Sequence, residues 1–471
     1  MRIKNFGRNV VFTAKHFYQP HSEAEVLEIL NKHSRGQIRV VGSLHAWNDG
    51  IVSDDALLDI KYLNNVQITQ EGEQAYANVG AGCKLEQLIK ILAAQNLTVP
   101  AMGGIMRQTV AGLASTATHG TGRSSFSHYI TEIRIAAYDE TTGQAKIFEY
   151  KTGPELLAAR CALGCMGVVL SVKIPCVIKF WVQEHQTLLE TLDQALLAEK
   201  DWPLQQFALF PHSWKFLMYS RKIVPEPGMV TKILSGFQRF LDYTLVEILP
   251  HFIIKLLLVI TDGRRSAIIY FKNVLPRVVN SITTTNRDYL GLTLHTRHHY
   301  IFRHIEMEAF IPEQNLRQAY RAIREITDWF AGTSETLSLE FQEQLTKIGL
   351  LQNVLNAKGK YVLHYLMFFR KVLPDETLIS MTSGNTAHYA IGFFTYYDEV
   401  DRAGYYLFTK TMAQVLNKLF DARLHWGKYF PLDNSDINRL YPKLDEFKKI
   451  CKKVDPHGVF QNNYTRRVLG F

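Results

Sequence analysis

The 471-residue sequence lacks several features that would settle a function quickly. No Rossmann fingerprint is present: Gly80-Ala81-Gly82 misses both the third glycine and the strand–turn–helix setting the motif needs. There is no P-loop. Cysteine is scarce, five in all, and Cys161 and Cys165 stand four apart without a second pair, which argues against zinc and for reduced thiols. The net charge is +9, yet no run of consecutive Lys and Arg concentrates it, so a nucleic-acid footprint is not expected. The opening stretch MRIKNFGRNVVFTAKHF has no apolar core of signal-peptide length, and a cytoplasmic protein is expected. Residues 229–260 are very apolar, but Asp242, Glu247, Lys255 and Pro250 interrupt them, whereas a spanning helix wants about 20 nearly uncharged residues. Two readings remain for that segment: a helical pair lying peripherally on a membrane, and a buried helix of a second domain.

What is present reads as an ordinary globular composition, 47% hydrophobic and 21% charged, in a chain long enough to predict two domains. The first third alternates short strands with helices. Ser22 and Glu25 offer a capping box for a helix that puts Val26, Ile29 and Leu30 on one face. Strands are expected at 38–41, 57–60, 133–138 and 167–173, and a second helix at 84–96. From about residue 180 the pattern shifts to longer helices and aromatic strands such as 388–397, and a basic amphipathic helix over 441–454 stops at Asp455-Pro456-His457-Gly458.

Two glycine-rich segments carry the chemistry. One is Val41-Gly42-Ser43-Leu44-His45-Ala46-Trp47, directly after a strand; the other runs from Gly103-Gly104 through Gln108-Thr109-Val110-Ala111-Gly112 and Ser115 to Thr118-His119-Gly120-Thr121-Gly122. Small residues let backbone amides approach a ligand, and the interspersed hydroxyls add donors for a pyrophosphate. Two such loops about seventy residues apart point to one long bipartite cofactor.

The ordered set of these segments, with His425-Trp426-Gly427-Lys428 and Asp455-Pro456-His457-Gly458-Val459-Phe460 near the end, resembles the aldonolactone oxidase branch of the vanillyl-alcohol-oxidase flavoprotein superfamily. The resemblance implies an α+β protein with a PCMH-type FAD-binding domain at 1–178, an antiparallel-sheet cap at 179–424, and a C-terminal segment, 425–471, that returns to the flavin. It implies FAD contacts from Gly42, Ser43, Leu44, His45, Ala46, Gly103, Gly104, Thr109, Gly112, Ser115, Thr118, His119, Gly120, Gly122, Val168, Val169 and Lys428. His45 falls where the family bonds its flavin covalently; His119 is expected at the pyrophosphate. Leu44-His45-Ala46-Trp47 replaces the commoner Gly-His-Ser-Pro. Gly103 stands where a small residue lets oxygen reach the reduced ring, which favours an oxidase.

The implied reaction is hydride transfer from a CH–OH carbon of a sugar lactone, polyol or related sugar alcohol to flavin N5. Lys428 would balance charge on the reduced ring, Arg370 would orient the substrate oxygen, and Glu308 would face the active site, unless Glu306 and Glu308 lie at the surface. The family's pocket glutamate, two residues before the arginine, is Phe368 here. A ring cannot accept a proton, which opens two alternatives: a membrane-associated enzyme for a lipid-linked sugar or sterol-like substrate, and a flavin-binding protein without turnover. His295-Thr296-Arg297-His298-His299 is expected to be strand surface rather than a metal site, since adjacent strand residues face opposite ways, and no metal is expected anywhere in the chain.

Overall fold

The computed structural model describes residues 1–260, 263–278, 283–288, 292, 303–397 and 401–471; the histidine run 295–299 lies outside them. Residues 2–178 build four sheets, two of them short pairs, Arg2–Lys4 with Val11–Thr13 and Leu97–Thr98 with Val177–Ile178. Strands His16–Tyr18, Ala56–Asp59 and Ile38–Val41 pair in parallel, with Ala56–Asp59 central, and a five-stranded antiparallel sheet forms from residues 66–80 and 132–175. Helix Glu23–Lys32 begins as the sequence predicts: Ser22 Oγ accepts from Glu25 N at 3.2 Å, and Glu25 reaches back to the backbone N–H of His21. Its Val26 and Leu30 are fully buried.

The second domain is one eight-stranded antiparallel sheet. In spatial order its strands are 283–287, 181–189, 216–224, 206–209, 367–372, 388–396, 304–312 and 423–424. Every residue of the strands His304–Pro312 and His388–Tyr396 is buried. One face of the sheet packs on helices Leu316–Ala331 and Arg402–Phe420, and the other turns toward the first domain. Two carboxylates on His304–Pro312, Glu306 and Glu308, sit at alternate positions and so share one face. Both are buried, at 3% and 2% exposure, which overturns the surface reading.

The apolar stretch forms helices Met229–Asp242 and Leu249–Ile260, and no helix among the described residues is long and apolar enough to cross a membrane. Helix Met229–Asp242 is inverted in its amphipathicity. Ser235, on its buried side, accepts from Thr285 N at 2.9 Å, while Met229, Val230, Ile233, Leu234, Phe237 and Phe240 face outward with exposures from 57% to 72%.

The C-terminal segment is fastened to the first domain by a buried guanidinium. Arg39 donates to the carbonyls of Phe460 (2.5 Å), Leu163 (2.6 Å) and Gly50 (2.7 Å), joining three distant pieces of chain. The Asp455–Phe460 turn that presents Phe460 is held by Asp455, whose carboxylate accepts from Val459 N and Phe460 N. Gly458 sits there at φ +68, a left-handed conformation that glycine adopts without strain.

Candidate active site

The loop Gly42–Trp47 leaves strand Ile38–Val41 and is bolted to the C-terminal segment. Trp47 N donates to Gly427 O at 2.9 Å, and Asn48 Nδ2 donates to the carbonyls of Trp426 and Lys428 at 2.6 and 2.7 Å. Trp47 Nε1 donates to His304 O on the cap sheet at 2.7 Å, and the Lys428 ammonium lies 4.4 Å from the Trp47 ring centre. The departure from the commoner Gly-His-Ser-Pro thus has a physical function: Trp47 is the joint between cofactor loop, C-terminal loop and cap.

The two glycine-rich turns touch. A Cβ on Gly42 would lie 2.1 Å from Thr109 Oγ1, and Ser43 donates its hydroxyl to Arg107 O at 2.5 Å. Gly42→Ala is therefore expected to force the turns apart, cutting flavin affinity at least tenfold and stability by about 1–3 kcal/mol, as overpacking does. Flavin titration and thermal melting of the purified variant would read both.

Between these turns lies a cavity of about 1080 Å³ including its open mouth, lined by Gly42, Ser43, Leu44, His45, Ala46, Thr109, Gly112, Ser115, Val169 and Lys428 among others. A second, larger cavity of about 2040 Å³ including its open mouth lies between the domains, lined by Gly104, Thr118, His119, Gly120, Glu306, Glu308, Phe368 and Arg370 among others. The two share Gln108, His425 and Lys428 as walls, so they meet there. An elongated molecule can lie in the first with one end in the second. That shape, with small residues on both turns, fits a flavin dinucleotide whose ring reaches the junction.

His45 is 9% exposed, stacks on Phe6 with ring centres 5.1 Å apart, and is pushed down to a pKa of about 4 by burial, with a further push from Lys428. Its ring is neutral at physiological pH, the form that can act as a nucleophile.

Several predicted contacts sit elsewhere. His119 was expected beside a pyrophosphate. It instead lines the larger cavity, with Nε2 3.3 Å from Glu308 Oε1, because the chain between Gly112 and Gly120 crosses from one cavity to the other. Val168 is fully buried in the five-stranded sheet, and Gly122 (φ +66) abuts the Pro203 carbonyl and donates to Lys371 O, joining the domains; neither lines either of these two cavities. Gly103 packs on Thr118, its missing Cβ 2.7 Å from Thr118 Cγ2.

The charged groups form two linked pairs. Glu308 faces His119 and, at 3.8 Å, Arg370, whose Nε donates to Gln206 at 3.3 Å. Burial alone would raise the Glu308 pKa, but the pull of His119 and Lys428 holds it well below the ordinary carboxylate range. Glu306 is ion-paired with Lys428, a partnership across 122 residues with no local signature. Burial raises the Glu306 pKa, and Lys428 only partly opposes this. His425 is held far below its usual pKa by burial; its Nδ1 accepts from Gly427 N at 2.9 Å. His119, Glu308 and His425 converge within 4.8 Å, but Arg370 and Lys428 already supply the positive charge that a cation would bring, and we read the group as a hydrogen-bonded charge network.

Comparison with known proteins agrees with this geometry. The family model for D-arabinono-1,4-lactone oxidase matches residues 174–468, and that for an FAD binding domain matches 14–142. The chain belongs to the D-arabinono-1,4-lactone oxidase family. A long-chain alcohol oxidase from an uncultured marine euryarchaeote is 37% identical, over 99% of this chain and 96% of that one. The L-gulonolactone oxidase of Mus musculus is 26% identical, over 100% and 98%. Among solved structures, cholesterol oxidase from B. sterolicum superposes with a TM-score of 0.74 at 14% identity, covering 99% of this chain and 96% of the other, a likeness of fold. This member of the D-arabinono-1,4-lactone oxidase family is an FAD-dependent oxidoreductase acting on CH–OH donors.

Proposed function

We propose that the larger cavity oxidises a carbinol carbon of a sugar lactone, polyol or related sugar alcohol, with oxygen as the final acceptor. The observation that carries this reading is the convergence of Arg370, Glu308, Glu306 and Lys428 where the two cavities meet. FAD, when bound, supplies the two-electron acceptor. Residues 1–178 and 425–471 would hold it: the turns at 42–46 and 109–115 would take its phosphates, and His45 would supply the covalent attachment. Arg370, braced by Gln206 and Glu308, hydrogen-bonds the substrate oxygen and sets which carbon faces the ring. Lys428 holds positive charge at the ring's edge.

A second substrate reading has its own support. Tyr365, Leu366, Phe368 and Phe394 give the larger cavity an apolar part of its wall, alongside the polar Glu184, Gln206 and Arg221. The 37% relative is named for long-chain alcohols. A hydroxyl-bearing head with an apolar tail fits that division. Stopped-flow bleaching of the flavin under anaerobic conditions, with aldonolactones, alditols and long-chain alcohols in parallel, separates the readings. Bleaching by none of them would leave a flavin carrier without turnover.

Peripheral membrane contact through 229–260 belongs with the second reading. The outward apolar face of Met229–Asp242 is joined by exposed Phe252, Leu256 and Val259, and Arg239 and His251 of the same pair line the larger cavity. Such a face is unusual on a soluble monomer and suits an interfacial helix. Co-sedimentation with phosphatidylglycerol vesicles is expected, and Leu234→Asp with Phe237→Asp is expected to reduce it at least tenfold while leaving flavin content unchanged.

A further inference from the structure

We propose that Glu306, paired with Lys428, is the group that takes the substrate's hydroxyl proton, in place of the carboxylate that Phe368 removes from the pocket; this rests on the carbinol-oxidation reading above. Phe368 and Glu306 line the same cavity. Three observations single out Glu306 rather than Glu308.

The first is occupancy. Glu308 is held between the His119 ring at 3.3 Å and the Arg370 guanidinium at 3.8 Å, so its charge is already shared by two donors. Glu306 has the Lys428 ammonium on Oε2, while Oε1 lies over the backbone of Gly392, only 3.1 Å from where a Cβ would sit there. Gly392, across the strand pair from Glu308, leaves room there for that oxygen and for the edge of the Phe394 ring, an apolar neighbour that offers it no proton.

The second is position. Lys428 walls both cavities and Glu306 walls the larger one, which places the pair where a cofactor ring and a substrate meet.

The third is the division of proton affinity. Two carboxylates sit two residues apart on one face; the surroundings of Glu308 hold it ionised, and burial makes Glu306 the more basic of the two. Neighbouring acids with proton affinities pushed apart are the usual mark of one electrostatic anchor and one proton carrier. The charged and titratable groups that face Glu306 are Lys428, Glu308, Arg370 and the buried Tyr405 hydroxyl.

The step balances. The substrate O–H bond breaks, its proton goes to Glu306 Oε1, and its electron pair becomes the second bond of the new carbonyl. The carbinol hydrogen would leave with the C–H electron pair, as hydride, and FAD, the acceptor of the established activity, would take both. Lys428 keeps Glu306 ionised before the step and is left less compensated after it, able to balance negative charge at the ring's edge.

The sign of the pH dependence follows. Glu306 must be ionised to accept the proton, and its pKa is raised, so kcat/KM rises with pH along a limb above the ordinary carboxylate value of about 4.3. The test is the kcat/KM pH profile of the flavin-loaded enzyme, wild type against Glu306→Gln, Glu306→Asp and Lys428→Met, alongside the infrared carboxyl band of the same proteins over the same pH range. Glu306→Gln is expected to lower kcat by about 100- to 10,000-fold, to erase the acid limb and to remove the titrating band, with flavin content retained. Glu306→Asp is expected to restore the limb in part, and Lys428→Met to move limb and band to higher pH together. A Glu306→Gln enzyme that keeps its flavin, its limb and a near-normal kcat would overturn the assignment to Glu306. Loss of bleaching by every carbinol in the wild type would instead overturn carbinol oxidation itself.

Discussion

Replacing His45 by alanine is expected to move flavin fluorescence from the acid-precipitated protein pellet into the supernatant and to lower kcat by at least tenfold. The expectation begins with burial. His45 is nearly enclosed, stacked on Phe6, and its pKa is pushed down to about 4, so the ring is unprotonated across the physiological range. A neutral imidazole on a rigid loop, held by Trp47 and Asn48 to the C-terminal segment, is a competent nucleophile toward an electron-poor ring. A covalent bond raises a flavin's reduction potential and fixes its orientation, so losing it slows oxidation as well as releasing the cofactor. The same depression has a stability consequence. A histidine with a lowered folded pKa favours folding above its unfolded value of about 6.5, and that contribution fades as pH falls toward 4. Melting of the flavin-free protein followed between pH 7 and 4 should therefore depend less on pH in His45→Ala than in the wild type.

Arg370→Met carries the second large effect, a loss of about 100- to 1,000-fold in kcat/KM with flavin binding intact, the scale seen when one fixed charge beside a reacting oxygen is removed. Arg370 sits in the larger cavity, braced by Gln206, and is remote from the dinucleotide turns, so cofactor affinity should not follow. The variant also withdraws one of the cations beside Glu308, whose carboxylate is buried. Glu308 has a depressed pKa, so its contribution to stability is present above its ordinary value of about 4.3 and is lost as pH falls. Without Arg370 that loss begins at higher pH, and acid unfolding of the variant should start earlier by a measurable fraction of a pH unit. A steady-state comparison with Arg370→Lys separates charge from the planar two-point geometry that only arginine supplies.

How much of this was legible in the sequence depended on the range of the interactions. The turns at Gly42–His45 and Thr109–Gly112 declare themselves locally, through their small and hydroxyl-bearing residues, whereas their mutual contact through Thr109 Oγ1 joins residues 67 apart and shows only in the fold. The helix opened by Ser22 and the strand at 38–41 are equally local. Glu306 was not legible in this way. Its role depends on Lys428, 122 residues further on, and on a strand whose two faces are both buried, so alternation of polar and apolar residues could not say which way it points. The place of His119 in the larger cavity was not legible for a related reason: one glycine-rich run serves both cavities, and the sequence does not mark where it crosses between them. Helix Met229–Asp242 shows the opposite failure. Its apolar stripe was plain, but periodicity carries no information about which side meets the protein, and the contact of Ser235 with Thr285 decides that.

The central claim is that two glycine-rich turns hold a flavin whose ring meets Arg370, Glu306 and Lys428 at the junction of the cavities. Its most direct test is an anaerobic titration of the purified, flavin-loaded protein, following the visible flavin band as a carbinol substrate is added and air is then admitted. The band is expected to bleach stoichiometrically and to return with oxygen, and Arg370→Met is expected to slow the bleaching without weakening the starting colour. A native protein that carries no flavin and takes none up when it is supplied would contradict the claim.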